Sequence, residues 1–332
     1  MSDVPRKAST GNYFEVSYAD LPTFGKAPLG DAARLSGVDV AVYGIPWDIT
    51  ASPRPGARYA PRRIREESHL FHEIWNPLET PMVSMGTDDE PRSRERISMV
   101  DCGDVTVYPY DIARTRESIH DLSAMIAEQA FPIALGGDHY VQFPAYQGVR
   151  DAHPDAKIGI VQIDAHDDTI SDDPMLGEHW CGSPIQRSIE YGSVDPRAVA
   201  MVGLRNFIGA KQLERHREEE FVVITMREAR QLGAAALAEK AASSVLRHCD
   251  LIYLTIDIDA VDPSVAPGCA GPSPGGFLAE EFMDLMRALG RFKEIVAVDL
   301  VEVAPPIDPT DRTQLFAAFS LFHFIETRFF RN

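Results

Sequence analysis

Short, almost wholly apolar runs punctuate the chain from residue 38 onward: VDVAVYGI (38–45), FPIALGG (131–137), KIGIVQID (157–164), AVAMVGL (198–204), FVVITM (221–226), LIYLTIDID (251–259) and EIVAVDLVEV (294–303). They are rich in β-branched residues and lack the strict alternation of a strand with one wet face, so they predict strands buried on both sides. Between them, TRESIHDLSAMIAEQA (115–130), AAALAEKAASSVLRHC (234–249) and AEEFMDLMRALGRF (279–292) carry apolar residues at helical spacing. Alternating strands and helices predict an α/β fold: a central parallel sheet between two helical layers. With no internal repeat and no linker, residues 37–332 read as one three-layer α/β/α domain. Residues 1–36, rich in Pro, Gly and polar side chains, are expected to form an irregular arm able to contact a neighbouring subunit.

Composition narrows the partners. The 332 residues carry 50 acidic and 32 basic side chains, a formal charge of −18. Such a surface disfavours nucleic acid and anionic membranes and suits a small cation. The four cysteines, Cys102, Cys181, Cys249 and Cys269, are scattered without zinc-type spacing, as in a reducing compartment. The polar N-terminus lacks a signal-peptide core, and no apolar run reaches the ~18 residues of a membrane helix. A cytoplasmic location is expected.

In open parallel sheets, ligands bind beyond the carboxyl ends of the strands, and there the acids gather. ALGGDHY (134–140) ends one run, IDAHDD (163–168) the next, TIDIDAVDPS (255–264) a later one and VDLVEVAPP (298–306) the last. If the chain stays extended, Asp164, His166 and Asp168 face one way, as do Asp257 and Asp259. Five converging carboxylates cannot all remain ionised in a partly buried site without cations. Imidazole and carboxylate without thiolate suit Mn, Fe, Ni or Zn better than Ca. Six donors are too many for one small ion that leaves room for substrate. Two ions about 3.5–4 Å apart, bridged by shared carboxylates, fit better and can ionise a water. Taken singly, an aspartate at a strand end is more often a helix cap or a loop hydrogen-bonding group; DAHDD and DIDAVDP together carry the ligand reading. Asp138, Asp167 and Asp262 lie out of phase with their neighbours and suit capping or supporting roles. Asp262 precedes Pro263, which is turn chemistry.

GGDH, DAHxD and DxDxxDP, in this order, resemble the ureohydrolases: arginase, agmatinase, guanidinobutyrase and related guanidino-group hydrolases. RPGARYAPRRIR (54–65), DCGDV (101–105), APGCAGPSPGGF (266–277) and DLVEVAPPID (299–308) are similar to the agmatinase-like branch. The resemblance implies an arginase-like fold and two divalent metal ions per subunit, Mn or Ni. By motif, His139, Asp164, Asp168 and Asp257 would hold one metal. Asp164, His166, Asp257 and Asp259 would hold the other, with Asp164 and Asp257 bridging. Glu302 would receive the guanidinium group. The implied reaction is attack of metal-activated hydroxide on the guanidino carbon, with Asp168 helping to move the proton. The products would be urea, or a urea derivative, and an amine.

One segment departs from the branch. Where agmatinase-like members carry HGTPFRR, this chain reads GEHWCGSPIQRSIE (177–190). Cys181 falls at the histidine position, His179 lies two residues earlier and Trp180 stands between them. His179 is therefore a candidate catalytic residue, and Trp180 and Cys181 candidate substrate contacts; a packing role is the plain alternative. A tryptophan can cover an alkylated nitrogen by cation–π contact, and a cysteine leaves room. The expected substrate is a small or N-alkylated guanidine: guanidine, dimethylguanidine or a biguanide of the metformin kind. Agmatine or guanidinobutyrate is the alternative. A guanidino acid needs a partner for its carboxylate, and Arg54, Arg187 and Arg205 are available. Two other classes stay open: a subunit that keeps the fold without the activity, and a one-metal deacylase on the same fold. A homo-oligomer, trimer or hexamer, is expected, or a hetero-oligomer with a related subunit.

Overall fold

The computed structural model describes residues 21–51, 54–71, 97–192 and 194–330. Among the described residues, eight strands form one all-parallel sheet: β1 (Val40–Gly44), β2 (Met99–Asp104), β3 (Phe131–Leu135), β4 (Ile158–Ile163), β5 (Val199–Leu204), β6 (Val222–Thr225), β7 (Leu251–Asp257) and β8 (Ile295–Val301). Their order is β2-β1-β3-β8-β7-β4-β5-β6. The seven apolar runs are all strands. β2 was not expected, because only alternate residues of this edge strand are buried and its second half is polar. Asp101 within it is buried and takes a two-point ion pair from Arg65, at 2.8 and 3.0 Å.

Successive residues of each strand feed opposite cores, so two apolar layers form. On one face, Val40, Val42, Val161 and Ile163 pack with helices α1 (Ala60–Ser68), α7 (Ala234–Val245), α8 (Ala279–Leu289) and α9 (Arg312–Phe329). On the other, Ala41, Tyr43, Ile158 and Ile160 pack with α2 (Ile112–Ala127), α3 (Gln142–Asp151) and α4 (Pro184–Gly192). Helices α5 (Ala210–Glu218) and α6 (Met226–Leu232) follow β5 and β6. The chain is thus the expected three-layer α/β/α fold. Residues 1–20 of the expected arm lie outside the described residues. Of the rest, Phe24 and Leu35 are buried, and the arm pairs with edge strand β2: the Gly30 N–H donates to the Asp101 carbonyl at 2.8 Å and the Asp101 N–H donates to the Pro28 carbonyl at 3.0 Å. Among the described residues, no helix is long and apolar enough to cross a membrane.

The strand order decides where the chemistry lies. The four acid-bearing strand ends belong to β3, β8, β7 and β4, which are consecutive neighbours at the centre of the sheet. Tight packing keeps them there. A side chain at Gly137 would strike the Trp47 carbonyl, and the Gly137 carbonyl itself accepts the Glu302 N–H at 2.8 Å.

Candidate metal centre

Each ligand-bearing loop is shaped by its own aspartate. Asp164 Oδ1 accepts the His166 N–H at 2.6 Å, Asp257 Oδ1 accepts the Asp259 N–H at 2.8 Å, and Asp138 Oδ1 accepts the Tyr140 N–H at 3.1 Å. These are Asx turns, in which a short carboxylate satisfies a backbone donor two residues on. They correct the expectation of an extended chain. β4 stops at Ile163 and bends, and β7 stops at Asp257 and enters a 3-10 turn over Ile258–Ala260. The side chains converge because the chain curls, not because it alternates.

The convergence is close. His139 Nδ1 lies 3.1 Å from Asp164, 2.8 Å from Asp168 and 3.3 Å from Asp257. His166 Nδ1 lies 3.0 Å from Asp259 and 3.5 Å from Asp164. Ligand atoms of His139, Asp164 and Asp257 fall within 4.8 Å of one another, as do those of Asp164, His166 and Asp259. Asp164 belongs to both groups, as a bridging carboxylate would. Asp257 falls in the first group alone. All are buried except His166, which is half-exposed.

Electrostatics makes the cluster untenable with every carboxylate ionised and no cation. Burial, Asp259 and Asp164 drive the Asp257 carboxyl well above its ordinary range; burial and Asp164 raise Asp259. Burial and Asp164 push Asp168 up to about 7. Burial works against ionised Asp164 too, but hydrogen bonds with His139 and His166 hold its carboxyl below the usual range. Burial opposes charge on His139, yet Asp168, Asp164 and Asp257 keep its pKa well above the ordinary value. His166, against the same penalty, is pushed up to about 12 by Asp164 and Asp259. Protons retained at such a site are what divalent cations displace on binding.

The donor atoms fit cations in a second respect. His139 Nε2 is 3.0 Å from Thr255 Oγ1, which donates its own proton to Asp299 at 2.6 Å. The ring proton is therefore on Nε2. Nδ1 is buried and faces three carboxylates; in the metal-free chain it shares a retained proton with them, and a cation that displaces that proton would meet its lone pair. Thr255 and Asp299 had not been read as supports of a ligand, although Thr255 is in phase with Asp257 on an apolar strand, which was the available signal. Gln162, in phase with Asp164, donates to it at 2.8 Å in the same way.

Glu302 ends β8 with a left-handed backbone, φ 63°, and Asp168 has φ 48°. Such angles in non-glycine residues store strain and concentrate at functional sites. Glu302 Oε1 accepts the His139 N–H at 2.9 Å, while Oε2 is buried without a hydrogen-bond partner among the described residues. Burial and Asp138 raise its pKa well above the usual range. Of the out-of-phase acids, Asp138 binds Thr50 and caps the turn at His139, Asp262 closes the turn at Ser264 and Gly275, and Asp167 faces helix α5.

The departing loop is tied to the residues flanking His139. His179 Nδ1 lies 2.9 Å from the Tyr140 hydroxyl, within hydrogen-bond distance, and its Nε2 is 3.3 Å from Glu178. Cys181 N–H donates to the Thr50 carbonyl, and Thr50 is held by Asp138. The Trp180 ring folds back over Gly182. Both ring nitrogens of His179 are thus engaged with the fold. The three arginines considered for a substrate carboxylate are committed as well. Arg54 donates to the Cys269 and Ala270 carbonyls, Arg205 to those of Ser273, Gly203 and Asp259, and Arg187 pairs with Glu178 and Glu190.

Comparison with known proteins identifies the family. The arginase family model matches residues 38–325. Proclavaminate amidinohydrolase of Streptomyces clavuligerus is 34% identical over 305 residues, 90% of this chain and 90% of the relative. The mitochondrial guanidino acid hydrolase of Homo sapiens is 30% identical over 327 residues, 98% of this chain and 87% of the relative. The solved structure of the Streptomyces clavuligerus enzyme has a TM-score of 0.80 at 29% identity, covering 94% of this chain and 98% of that one. A hypothetical agmatinase from Burkholderia thailandensis gives a TM-score of 0.78 at 27% identity, covering 97% and 95%. The chain belongs to the arginase family, whose members are metal-dependent hydrolases of C–N bonds in guanidino and related amidine compounds.

Proposed function

We propose that this chain hydrolyses a guanidino C–N bond at a pair of divalent cations, Mn or Ni, and releases urea or a urea derivative and an amine. His139, Asp164, Asp168 and Asp257 would hold one cation, and Asp164, His166, Asp257 and Asp259 the other. When bound, the cations acidify water so that hydroxide is at hand near neutral pH.

The observation that carries the guanidinium reading is Glu302. Its Oε2 is buried and unpartnered while Oε1 is fixed on the His139 backbone. A guanidinium offers planar N–H donors and positive charge, which a buried carboxylate oxygen lacks and requires. Binding there fixes the electrophilic carbon beside the donor cluster, so that attack is effectively unimolecular. Asp168 takes the proton of the attacking oxygen and returns it to the departing amine nitrogen. We assign His179 to positioning the loop rather than to proton transfer, because Tyr140 and Glu178 engage both ring nitrogens.

The proposed substrate is a small or N-alkylated guanidine such as guanidine, dimethylguanidine or metformin. The commitment of Arg54, Arg187 and Arg205 to the protein's own acceptors supports a substrate without a carboxylate. The names of the guanidino acid hydrolase and proclavaminate amidinohydrolase favour a guanidino acid as the second reading. Trimeric or hexameric assembly, with residues 1–36 as a contact and with or without a related subunit, belongs to the same proposal, as does a cytoplasmic location.

The test is urea and amine release by protein loaded separately with Mn2+ and Ni2+. The panel holds guanidine, dimethylguanidine, metformin, agmatine, guanidinobutyrate and arginine. The expected result is a kcat/KM for a small guanidine at least about ten-fold above the long substrates, the scale on which a pocket discriminates methylenes. Faster turnover of guanidinobutyrate would transfer the assignment to the guanidino acids.

A further inference from the structure

Asp167 stands in sequence between His166 and Asp168, yet it turns away from them. Its Oδ2 accepts the Thr169 hydroxyl at 2.7 Å and the Gln212 side-chain amide, and lies 3.0 Å from His216 Nε2. His216 Nε2 is also 3.0 Å from Thr169 Oγ1, and Gln212 Nε2 donates to that hydroxyl at 3.2 Å. Arg215 donates to the Thr169 carbonyl at 3.0 Å. Gln212, Arg215 and His216 are spaced i, i+3, i+4 and so form one face of helix α5. This face grips the residues on both sides of Asp168. From α4, the Gln186 N–H donates to the Asp168 carbonyl at 3.4 Å.

What is gripped is strained. Asp168 has φ 48°, a conformation an aspartate keeps only when its surroundings impose it. His216 is buried, with its ring edge-on to Phe221 at 5.2 Å, so the grip is anchored in the core. The same contacts hold the Asp167 carboxylate on helix α5, so that it does not add to the charge of the cluster.

We propose that Gln212 and His216 are positioning residues: from helix α5 they fix the left-handed turn that aims Asp168 at His139. The proposal rests on Asp168 being a cation- and water-facing group. It assigns a role to a helix whose hydrogen bonds go to the neighbours of Asp168, Asp167 and Thr169.

The test compares Gln212→Glu, Gln212→Glu combined with Asp167→Asn, His216→Phe and the outward-facing control Glu214→Ala. Three quantities are read: amide hydrogen exchange at residues 167–169, Mn2+ affinity, and kcat with KM. Gln212→Glu sets carboxylate against carboxylate. It should speed exchange at 167–169, weaken Mn2+ binding and lower kcat by about 10–100-fold, the usual effect of losing a partner behind a ligand. KM and the protection of β4 should be preserved. In the double variant the introduced amide donates to the introduced carboxylate, so all three readouts should recover. His216→Phe keeps the ring against Phe221 and should act like Gln212→Glu, while Glu214→Ala should match the parent. Parental exchange and Mn2+ affinity in Gln212→Glu, or no recovery in the double variant, would overturn the proposal. If the parent released urea from no guanidino compound, the proposed activity would fall, and exchange with Mn2+ affinity would still decide the role of helix α5.

Discussion

Thr255 Oγ1 lies 3.0 Å from His139 Nε2 and donates its own proton to Asp299, so a hydroxyl on β7 keeps a proton on Nε2 of a histidine in the turn after β3 and leaves Nδ1 to face the carboxylates. Thr255→Val keeps the shape and removes the acceptor. The proton is then free to sit on Nδ1, where it competes with a cation. Mn2+ affinity should fall about 10–100-fold, with the thermal midpoint of the metal-free protein little changed. Calorimetric titration checks it, and unaltered affinity would remove Thr255 from the site.

Glu302→Gln leaves an amide that can accept from the His139 backbone or from a guanidinium but carries no charge. A hydrogen bond to a charged group contributes ~1.5–3 kcal/mol, so kcat/KM should fall roughly 10- to 150-fold. Mn2+ stoichiometry should not change, since Glu302 is outside both donor groups. Steady-state kinetics beside metal analysis separates the two effects.

The pH dependence of the metal-free protein follows from the carboxyls. Asp168 is raised to about 7 in the fold, against roughly 4 when unfolded. A raised carboxyl binds its proton more tightly in the folded state. Its contribution is therefore complete below the unfolded value and is lost as pH rises toward 7. Asp257 and Asp259 act in the same direction. His139 and His166, also raised, add stability that is lost at higher pH, for His166 as pH passes about 12. Asp164, lowered, contributes in the opposite sense and loses its part as pH falls. The metal-free midpoint should drop between pH 4 and 7, and the stabilisation by added Mn2+ should grow over that interval. Melting curves with and without Mn2+ check this; a constant increment would contradict it.

Tyr140→Phe releases His179 while leaving the buried ring in place. Losing one neutral hydrogen bond, ~1 kcal/mol, should loosen the loop and shift the kcat/KM ratio of long over small guanidines upward by about five-fold. Cys181→His should move the ratio the same way if the loop sets substrate length. The substrate panel reads both.

Arg65→Ala leaves Asp101 buried without its two-point partner. Removing one member of a buried pair costs about 3–5 kcal/mol, so the denaturation midpoint should fall while the guanidino site keeps its chemistry. Equilibrium unfolding in urea measures the loss.

The sequence made the sheet legible because its strands are buried on both faces, so apolar runs mark all but β2. The candidate ligands were legible because acids rarely end such runs. Their geometry was not, because Asp164 and Asp257 consume backbone donors and curl the chain where alternation predicts extension. Helix α5 was missed for a related reason. Its working face is Gln212, Arg215 and His216, polar residues that leave no apolar stripe to read. The left-handed backbones of Asp168 and Glu302 carry no local signal either, since tertiary contacts impose them.

The most direct measurement is a titration of the metal-free chain with Mn2+ followed by urea release from guanidine and guanidinobutyrate. A two-cation site should give activity that saturates at two equivalents per chain and disappears in Asp257→Asn. Activity indifferent to metal, or saturation at a single equivalent, would contradict it.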